Sequence, residues 1–206
     1  KRMKFVAISD VHIKEKGDDS YHLFLQFLRH PLTQQSDKIF LLGDIFDLLV
    51  GGHLEYYKRF ESLFDEIVSL IKSGKKVIQL EGNHDFHIEE LLISNGITVK
   101  KKPFVEIIND KKVLLCHGDE IEIDNLSYQL WRTFIRSFPL ALVSKYIFNY
   151  RIVKWIGDYL SQKSRNRNEK RYGHSQENLS IRDKFRRCAK IAAKEYNVDI
   201  IICGHS

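Results

Sequence analysis

Five short clusters of Asp, Asn and His side chains recur along the 206-residue chain, each directly after a run of apolar residues. Carboxylate, carboxamide and imidazole groups form the mixed oxygen and nitrogen ligand set that suits Mn²⁺, Fe or Zn²⁺. One such cluster alone is more often a turn or a helix cap, whereas five in one chain favour a metal centre. A central carboxylate such as Asp44 can bridge two ions, as two-metal hydrolytic sites require. The clusters are Asp10-Val11-His12, Gly43-Asp44-Ile45-Phe46-Asp47, Gly82-Asn83-His84-Asp85, His117-Gly118-Asp119 and Gly204-His205-Ser206.

The apolar runs before these clusters predict the strands that position them. Strands are expected at residues 4–9, 38–42, 76–80 and 199–203, with a hairpin at 104–116. Apolar residues at spacings of three and four predict helices at 21–30, 55–72 (ended by Ser73-Gly74), 125–161 and 176–196. Alternating strands and helices indicate an α/β fold. In such folds ligands bind beyond the carboxyl ends of the strands, where every cluster lies.

Composition excludes several classes of protein. Apolar residues make up 43% of the chain and aromatic residues 12%, which is enough for a packed core. No apolar run approaches the 18 residues of a membrane-spanning helix. The N-terminus shows no secretory leader, so we expect a cytoplasmic location. The three cysteines, Cys116, Cys188 and Cys203, are odd in number and widely spaced, which argues against a disulfide framework or a structural zinc site.

In their order along the chain, the five clusters resemble the signature blocks of the calcineurin-like metallophosphoesterases. The resemblance covers the whole chain and implies one domain over residues 1–206, with a four-layer αββα fold and two divalent metal ions. The family pattern ends Gly-His-x-His, so a last ligand and a closing strand pair are expected beyond Ser206. The ligands that the resemblance implies are Asp10, His12 and Asp44 for the first ion, and Asp44, Asn83, His117 and His205 for the second.

This ligand set implies hydrolysis of a phosphoester or pyrophosphate by a hydroxide that bridges the two ions. No protein nucleophile is needed. His84, beside the ligand Asn83, is the candidate to protonate the leaving oxygen or stabilise the transition state, because imidazole titrates near neutral pH. Asp85 is the carboxylate expected to fix the tautomer of His84. A packing or capping role is the alternative for His84 and is favoured for His22, His30, His53, His87 and His174.

Almost ninety residues separate the fourth cluster from the last predicted strand, far more than a crossover needs. We expect residues 125–171 to form a helical cap inserted into the domain. Nine of the chain's 24 aromatic residues lie within 128–159. The net charge of the chain is +6. Residues 151–190 have a net charge of +8, and the rest of the chain has a net charge of −2. An apolar cap beside a basic rim suits a lipid with a phosphate head at an anionic membrane surface, although the aromatics can equally form the cap's own core.

Asp124-Asn125-x-x-Tyr128-Gln129-x-x-Arg132 follows shortly after the fourth cluster, and Ser164-x-x-x-Asn168-x-x-Arg171 comes later in the insertion. In these motifs the cap is similar to that of the UDP-2,3-diacylglucosamine pyrophosphatases, manganese enzymes of lipid A synthesis. This likeness implies cleavage of a nucleotide-linked lipid to UMP and 2,3-diacylglucosamine 1-phosphate, peripherally at the inner face of the membrane. His84 stands where the main branch of that family carries Arg, whereas general phosphoesterases and a sister branch with Gly-Asn-His-Asp carry His, so the exact substrate stays open. Asn125 replaces an Asp, and Arg171 replaces a Lys. The substrate contacts that the likeness implies are Asn125, Tyr128, Ser164, Asn168 and Arg171.

Two other functions remain open at this point. A general phosphodiesterase or nuclease of the same superfamily would use the basic segment as a track for the phosphate backbone. The chain contains no recognisable nucleic-acid-binding module, so we expect no nucleic-acid partner. A metal-free interaction scaffold on the same fold is the other alternative, and the filled ligand positions argue against it. The oligomeric state cannot be inferred from the sequence.

Overall fold

Two β-sheets of three or four strands form the centre of the part of the chain that the structure describes. The computed structural model describes residues 2–50, 53–119, 121, 155 and 175–204. In chain order its elements are β1 (Phe5–Ile8), α1 (Asp19–Arg29), α2 (Pro31–Gln34), β2 (Lys38–Leu42), β3 (Leu49–Val50), α3 (Leu54–Arg59), α4 (Glu61–Lys72), β4 (Lys76–Leu80), β5 (Asp85–Phe86), α5 (Glu89–Ile93), β6 (Thr98–Lys100), β7 (Phe104–Ile108), β8 (Lys111–Cys116), α6 (Ser175–Glu195) and β9 (Ile200–Cys203).

The first sheet is parallel throughout, with the strand order β1-β2-β4-β6. The second sheet has the order β7-β8-β9, in which β7 and β8 form an antiparallel hairpin and β9 runs parallel to β8. Asn109 and Asp110 close the hairpin with positive φ angles of 49° and 66°, as the two-residue turn between twisted strands requires. β3 and β5 form a separate parallel pair, in which Leu49 lies opposite Asp85 and Val50 opposite Phe86.

The side chains that alternate along the strands build three apolar layers. On β2, Ile39 and Leu41 face a core shared with helices α1 and α4. Phe40 and Leu42 point to the opposite face and pack with Val113 and Leu115 of the second sheet. The outer face of the second sheet is covered by α6 through Cys188 and Ala192. The order is therefore helix, sheet, sheet, helix, and the predicted four-layer arrangement is present.

The helices begin and end where local chemistry allows. Asp18 caps α1 by accepting hydrogen bonds from the backbone N–H of Tyr21, and Gly74, with φ of 94°, follows the end of α4. The single helix predicted at 55–72 is wrong in one respect, because the helix is interrupted at Phe60. Phe60 leaves helical geometry with φ of −115° and packs its ring 4.9 Å from that of Phe46 in the core.

Cys116, Cys188 and Cys203 form no disulfide with one another, and Cys116 and Cys188 are buried. In the described part of the chain, no helix combines the length and the hydrophobicity that crossing a bilayer demands. Residues 125–171, predicted to form the helical cap, lie outside the described residues except for Trp155.

Candidate metal centre

Four of the five clusters meet at one edge of the two sheets. Asp10 and His12 follow β1, Asp44 follows β2, and His117 follows β8. Asn83 follows β4, which lies beside β2 in the first sheet. Parallel neighbours end at the same edge, so the chain brings these side chains together although up to 107 positions separate them in the sequence. The fifth cluster's His205 lies outside the described residues.

Asp44 is the hub of this arrangement and is 1% exposed. Its Oδ1 accepts a hydrogen bond from the backbone N–H of His84 at 2.9 Å. Its Oδ2 lies 3.4 Å from Nε2 of His117 and 4.0 Å from Nε2 of His12. One carboxylate therefore faces two imidazole nitrogens from two different strands, which is the arrangement that a bridging ligand needs.

His117 is fully buried, and its ring is fixed at both nitrogens. Nδ1–H donates to the carbonyl oxygen of Leu42 at 2.9 Å, while Nε2 lies 2.9 Å from Oδ1 of Asn83. Burial alone would lower the pKa of His117, but the hydrogen bond and the charge of Asp44 outweigh it and raise the pKa to about 10. Nε2 is therefore protonated, and it lies next to oxygen atoms of Asp44 and Asn83. A bound cation in place of this proton would satisfy the same two oxygens.

Two groups of ligand atoms converge among the described residues. Asp10, Asp44 and His117 form one group, and His12, Asp44 and His84 form the other, with ligand atoms within 4.8 Å of one another in each. Both groups contain Asp44. Two overlapping sets of oxygen and nitrogen donors, sharing one buried carboxylate, fit a pair of divalent cations.

The charge states of His12 and Asp44 suit cations. Burial lowers the pKa of His12 below its ordinary value, more than the neighbouring carboxylate of Asp44 raises it, so the ring is neutral and able to bind a metal. Burial opposes ionisation of Asp44, but the hydrogen bond from His117 and the nearby histidines keep its pKa below the usual range. The carboxylate that would join two ions is therefore negative at neutral pH.

Three of the candidate ligands have left-handed backbones, which non-glycine residues rarely adopt. The φ angles are 54° for Asp10, 53° for His12 and 54° for Asp44. Such residues each cost about 1–3 kcal/mol and persist only where the surroundings hold them. Here Asp10 N–H donates to Gly43 O at 3.1 Å, and His12 N–H donates to Asp44 O at 3.0 Å. Backbone hydrogen bonds between the loop after β1 and the loop after β2 therefore hold both loops in these conformations.

Two glycines make room for the ligands. A Cβ atom on Gly82 would collide with the carboxylates of Asp44 and Asp85, and one on Gly204 would collide with Asp10 and Ser9. Any larger residue at these positions would displace the ligands. Glycine stands next to the candidate ligands in the sequence because a side chain at these positions would overlap with the ligand carboxylates.

Asp85 was expected to orient His84, and the structure does not pair these two side chains. The Asp85 carboxylate is fully buried and accepts four hydrogen bonds, from the backbone N–H groups of Gly82, Asp44 and Ile45 and from the amide of Gln79. Burial and the charge of Asp44 raise the pKa of Asp85 to about 7, although the backbone hydrogen bonds oppose the rise. Asp85 holds the Asp44 loop in place.

Gln79 was missed at the level of sequence. It is 1% exposed in the centre of β4 and donates to Oδ2 of Asp85 at 3.1 Å. The signal that could have revealed it is a lone amide side chain within a strand that is otherwise predicted to be buried and apolar.

His84 takes its orientation from the main chain. Its Nδ1 lies 2.9 Å from the carbonyl oxygen of Asp47, so Nδ1–H donates to that oxygen. The ring packs edge-on against the ring of His12, with 5.0 Å between centroids. Nε2 is therefore the nitrogen that remains for chemistry. The expected substrate contacts Asn125, Tyr128, Ser164, Asn168 and Arg171 lie outside the described residues.

Comparison with curated proteins finds hydrolases that are similar to this chain. Among curated relatives, UDP-2,3-diacylglucosamine hydrolase of Histophilus somni is 27% identical over 205 residues, covering 98% of this chain and 83% of the relative. The Haemophilus influenzae protein of that name is 29% identical over 206 residues, covering 97% and 81%. The one from Neisseria meningitidis serogroup B is 35% identical over 129 residues, covering 62% and 53%.

Among solved structures, a protein of unknown function from Aquifex aeolicus matches 66% of this chain and 71% of its own, with 18% identity and a TM-score of 0.43. The family model described as calcineurin-like phosphoesterase matches residues 3–206. This confirms the resemblance inferred from the five clusters. With its ligand groups converging at the sheet edge, the chain belongs to the calcineurin-like phosphoesterases and is a metal-dependent hydrolase of phosphoester or pyrophosphate bonds.

Proposed function

We propose that this protein hydrolyses the pyrophosphate bond of UDP-2,3-diacylglucosamine, releasing UMP and 2,3-diacylglucosamine 1-phosphate. The observation that carries the proposal is the pair of ligand groups sharing Asp44, in a chain that aligns over 97–98% of its length with hydrolases named for that substrate. The family match alone supports a phosphoesterase, and the named relatives supply the substrate class.

The ions of the proposed centre are two Mn²⁺, with Fe or Zn²⁺ as alternatives. By the family resemblance, Asp10, His12 and Asp44 would hold one ion, and Asp44, Asn83, His117 and His205 would hold the other. This assignment takes ligands from both converging groups and keeps His84 out of the ligand set, as the proton donor. When bound, such a pair of cations supplies Lewis acidity, an activated water and charge neutralisation for in-line displacement at phosphorus.

The chain's own side chains then have distinct tasks. Asp44, negative and buried, is the ligand shared by the two groups and holds them next to each other. As an imidazolium, His84 would donate its Nε2 proton to the leaving oxygen and become neutral, while its Nδ1–H stays on the Asp47 carbonyl. Asp85 and Gln79 act at a distance by fixing the backbone of the loop that carries Asp44. No side chain needs to act as a nucleophile.

Recognition of the lipid substrate is assigned to the inserted segment. We place the chain in one domain over residues 1–206, with a helical cap at 125–171 that offers an apolar groove for acyl chains and a basic rim for the sugar phosphate. Its proposed contacts are Asn125, Tyr128, Ser164, Asn168 and Arg171. The +8 charge of residues 151–190 supports peripheral binding to the anionic inner face of the membrane, from the cytoplasm.

Product analysis tests the proposal. Metal-depleted protein resupplied with Mn²⁺ should release UMP from UDP-2,3-diacylglucosamine in detergent micelles, and chelation should stop the release. Deacylated UDP-glucosamine and single-stranded DNA serve as competing substrates under the same conditions. Faster cleavage of DNA would establish the nuclease alternative, and equal rates on the deacylated sugar would remove the lipid from the proposal. Protein that binds no metal and cleaves none of the three would be a scaffold.

A further inference from the structure

One buried nitrogen of His12 faces a carboxylate without bonding to it. Nδ1 of His12 is inaccessible to solvent and has no hydrogen-bond partner among the described residues. The group it faces is the carboxylate of Asp47, whose Oδ1 lies 3.7 Å away. Asp47 is itself buried, with 6% of its surface exposed. A polar atom enclosed in this way destabilises the fold unless it gains a hydrogen-bond partner, and the Asp47 carboxylate is the acceptor placed next to it.

The main chain holds Asp47 beside His12. Beyond β1 and β2 the two segments continue side by side, since Ile13 N–H donates to Ile45 O and Asp47 N–H donates to Ile13 O, each at 3.0 Å. Ile13 and Phe46 also form an isolated parallel bridge. The Asp47 carboxylate is therefore delivered to the Nδ1 side of His12 by backbone pairing, whatever occupies the other side of the ring.

The two nitrogens of His12 face two different carboxylates. Nε2 faces Oδ2 of Asp44, in the ligand group of the metal centre, and Nδ1 faces Asp47. Asp47 belongs to neither converging group of ligand atoms among the described residues. The Asp47 carboxylate lies on the Nδ1 side of the His12 ring, away from the Nε2 atom that faces Asp44. Metal-binding histidines commonly donate their second N–H to a carboxylate, which fixes the tautomer and the ring orientation.

We propose that Asp47 is a positioning residue for the metal centre: its carboxylate accepts the Nδ1 proton of His12, so that the Nε2 lone pair is presented toward Asp44. The inference rests on the proposed metal function and adds a residue to it. Through its backbone carbonyl the same residue orients His84 at 2.9 Å. Asp47 thus sets the rings of two histidines that come from different strands.

Metal binding to the Asp47→Asn variant separates the two tasks of this residue. The substitution removes the carboxylate and leaves the carbonyl that holds His84. Calorimetric titration of metal-depleted protein with Mn²⁺ should show an affinity about 10–100-fold below wild type, the range expected when such a carboxylate is lost. Asp65→Asn, an equal charge change on an exposed position of α4, is the matched control and should bind Mn²⁺ like wild type.

The histidine tautomer gives a readout independent of activity. In wild-type protein loaded with diamagnetic Zn²⁺, the ¹⁵N spectrum of His12, assigned by comparison with His12→Gln, should show a protonated Nδ1 and an unprotonated Nε2. A proton on Nε2 in place of Nδ1 would overturn the proposal even if Asp47→Asn did not fold. Equal Mn²⁺ affinity in Asp47→Asn and wild type would also overturn it, leaving the hydrolase function intact. Absence of binding by wild type would instead remove the metal function and this inference together.

Discussion

Among single residues, Asp44 carries the largest share of the proposed chemistry, and its environment shows why. Its carboxylate is buried, faces two imidazoles and stays ionised despite burial. Its left-handed backbone is held by the carboxylate of Asp85, which accepts the N–H groups of Asp44 and Ile45. The strained backbone of Asp44 is therefore held by buried hydrogen bonds from the loop to Asp85, and these bonds fix the position of the Asp44 carboxylate.

Replacing Asp44 with alanine should remove at least one metal ion and lower hydrolysis of a small phosphodiester by several orders of magnitude. The reason is that both ligand groups lose their shared member. Metal content by elemental analysis and the rate on a chromogenic phosphodiester are the two measurements, with Asp65→Asn as the control. A variant with two ions and ordinary turnover would show that Asp44 does not bridge.

His84→Ala should leave metal content and melting temperature close to wild type while kcat falls by roughly 10²–10⁴-fold, as expected for a lost general acid. His84 contributes its backbone N–H to Asp44, and alanine keeps that hydrogen bond. Steady-state kinetics at saturating Mn²⁺ and thermal denaturation are compared for both proteins. If the melting temperature collapses and the folded fraction keeps its kcat, His84 is a packing residue.

At the scale of secondary structure, periodicity predicted the long elements well and the short ones poorly. The central strands and the helices α1 and α6 were identified because each buries a continuous apolar face. β3, β5 and β6 have two or three residues each, too few to show a period. The interruption at Phe60 depends on its contact with Phe46, which is distant in sequence and therefore invisible to local patterns.

The cap of α1 allows a test at this scale. Slight burial raises the pKa of Asp18, but hydrogen bonds from the backbone N–H groups of Tyr21, Glu15 and Lys14 outweigh it, so the pKa is lowered on folding. The carboxylate therefore contributes stability in full above the unfolded-state pKa of about 3.9, and this contribution is lost as the pH falls through the lower folded-state value.

Asp18→Ala should accordingly reduce the free energy of unfolding at pH 7 by about 1 kcal/mol. Asp18→Asn keeps a capping oxygen without a titrating charge, so it should cost less at pH 7 and should not reproduce the wild-type loss of stability in acid. Urea unfolding of the three proteins between pH 3 and pH 7 measures both effects. The cap assignment fails if alanine and wild type unfold at the same urea concentration throughout.

At the scale of the whole molecule, two sheets bring the clusters together. Strand ends in an α/β fold share one edge, so residue type and position were enough to predict which side chains meet there. Asp10, His12, Asp44, Asn83 and His117 do lie at that edge, and their binding of metal stays a prediction. Their supports could not be identified in the same way. Asp85 and Gln79 act through a buried contact between a loop and a neighbouring strand, and such pairings follow from the three-dimensional packing of the chain.

The packing of negative groups at this edge also predicts how metal affects the whole fold. Cations that bind the native state and not the unfolded chain stabilise it by mass action, about 2.7 kcal/mol at a hundredfold excess over Kd. For a chain of this length each kcal/mol raises Tm by roughly 2–4 °C, so Mn²⁺ should raise Tm by about 5–10 °C and chelation should reverse the rise. Differential scanning calorimetry across a Mn²⁺ titration measures it, with Asp44→Ala as the variant that should lose most of the shift. An equal rise in that variant would place the bound ions elsewhere on the molecule, because this centre would then no longer account for the stabilisation.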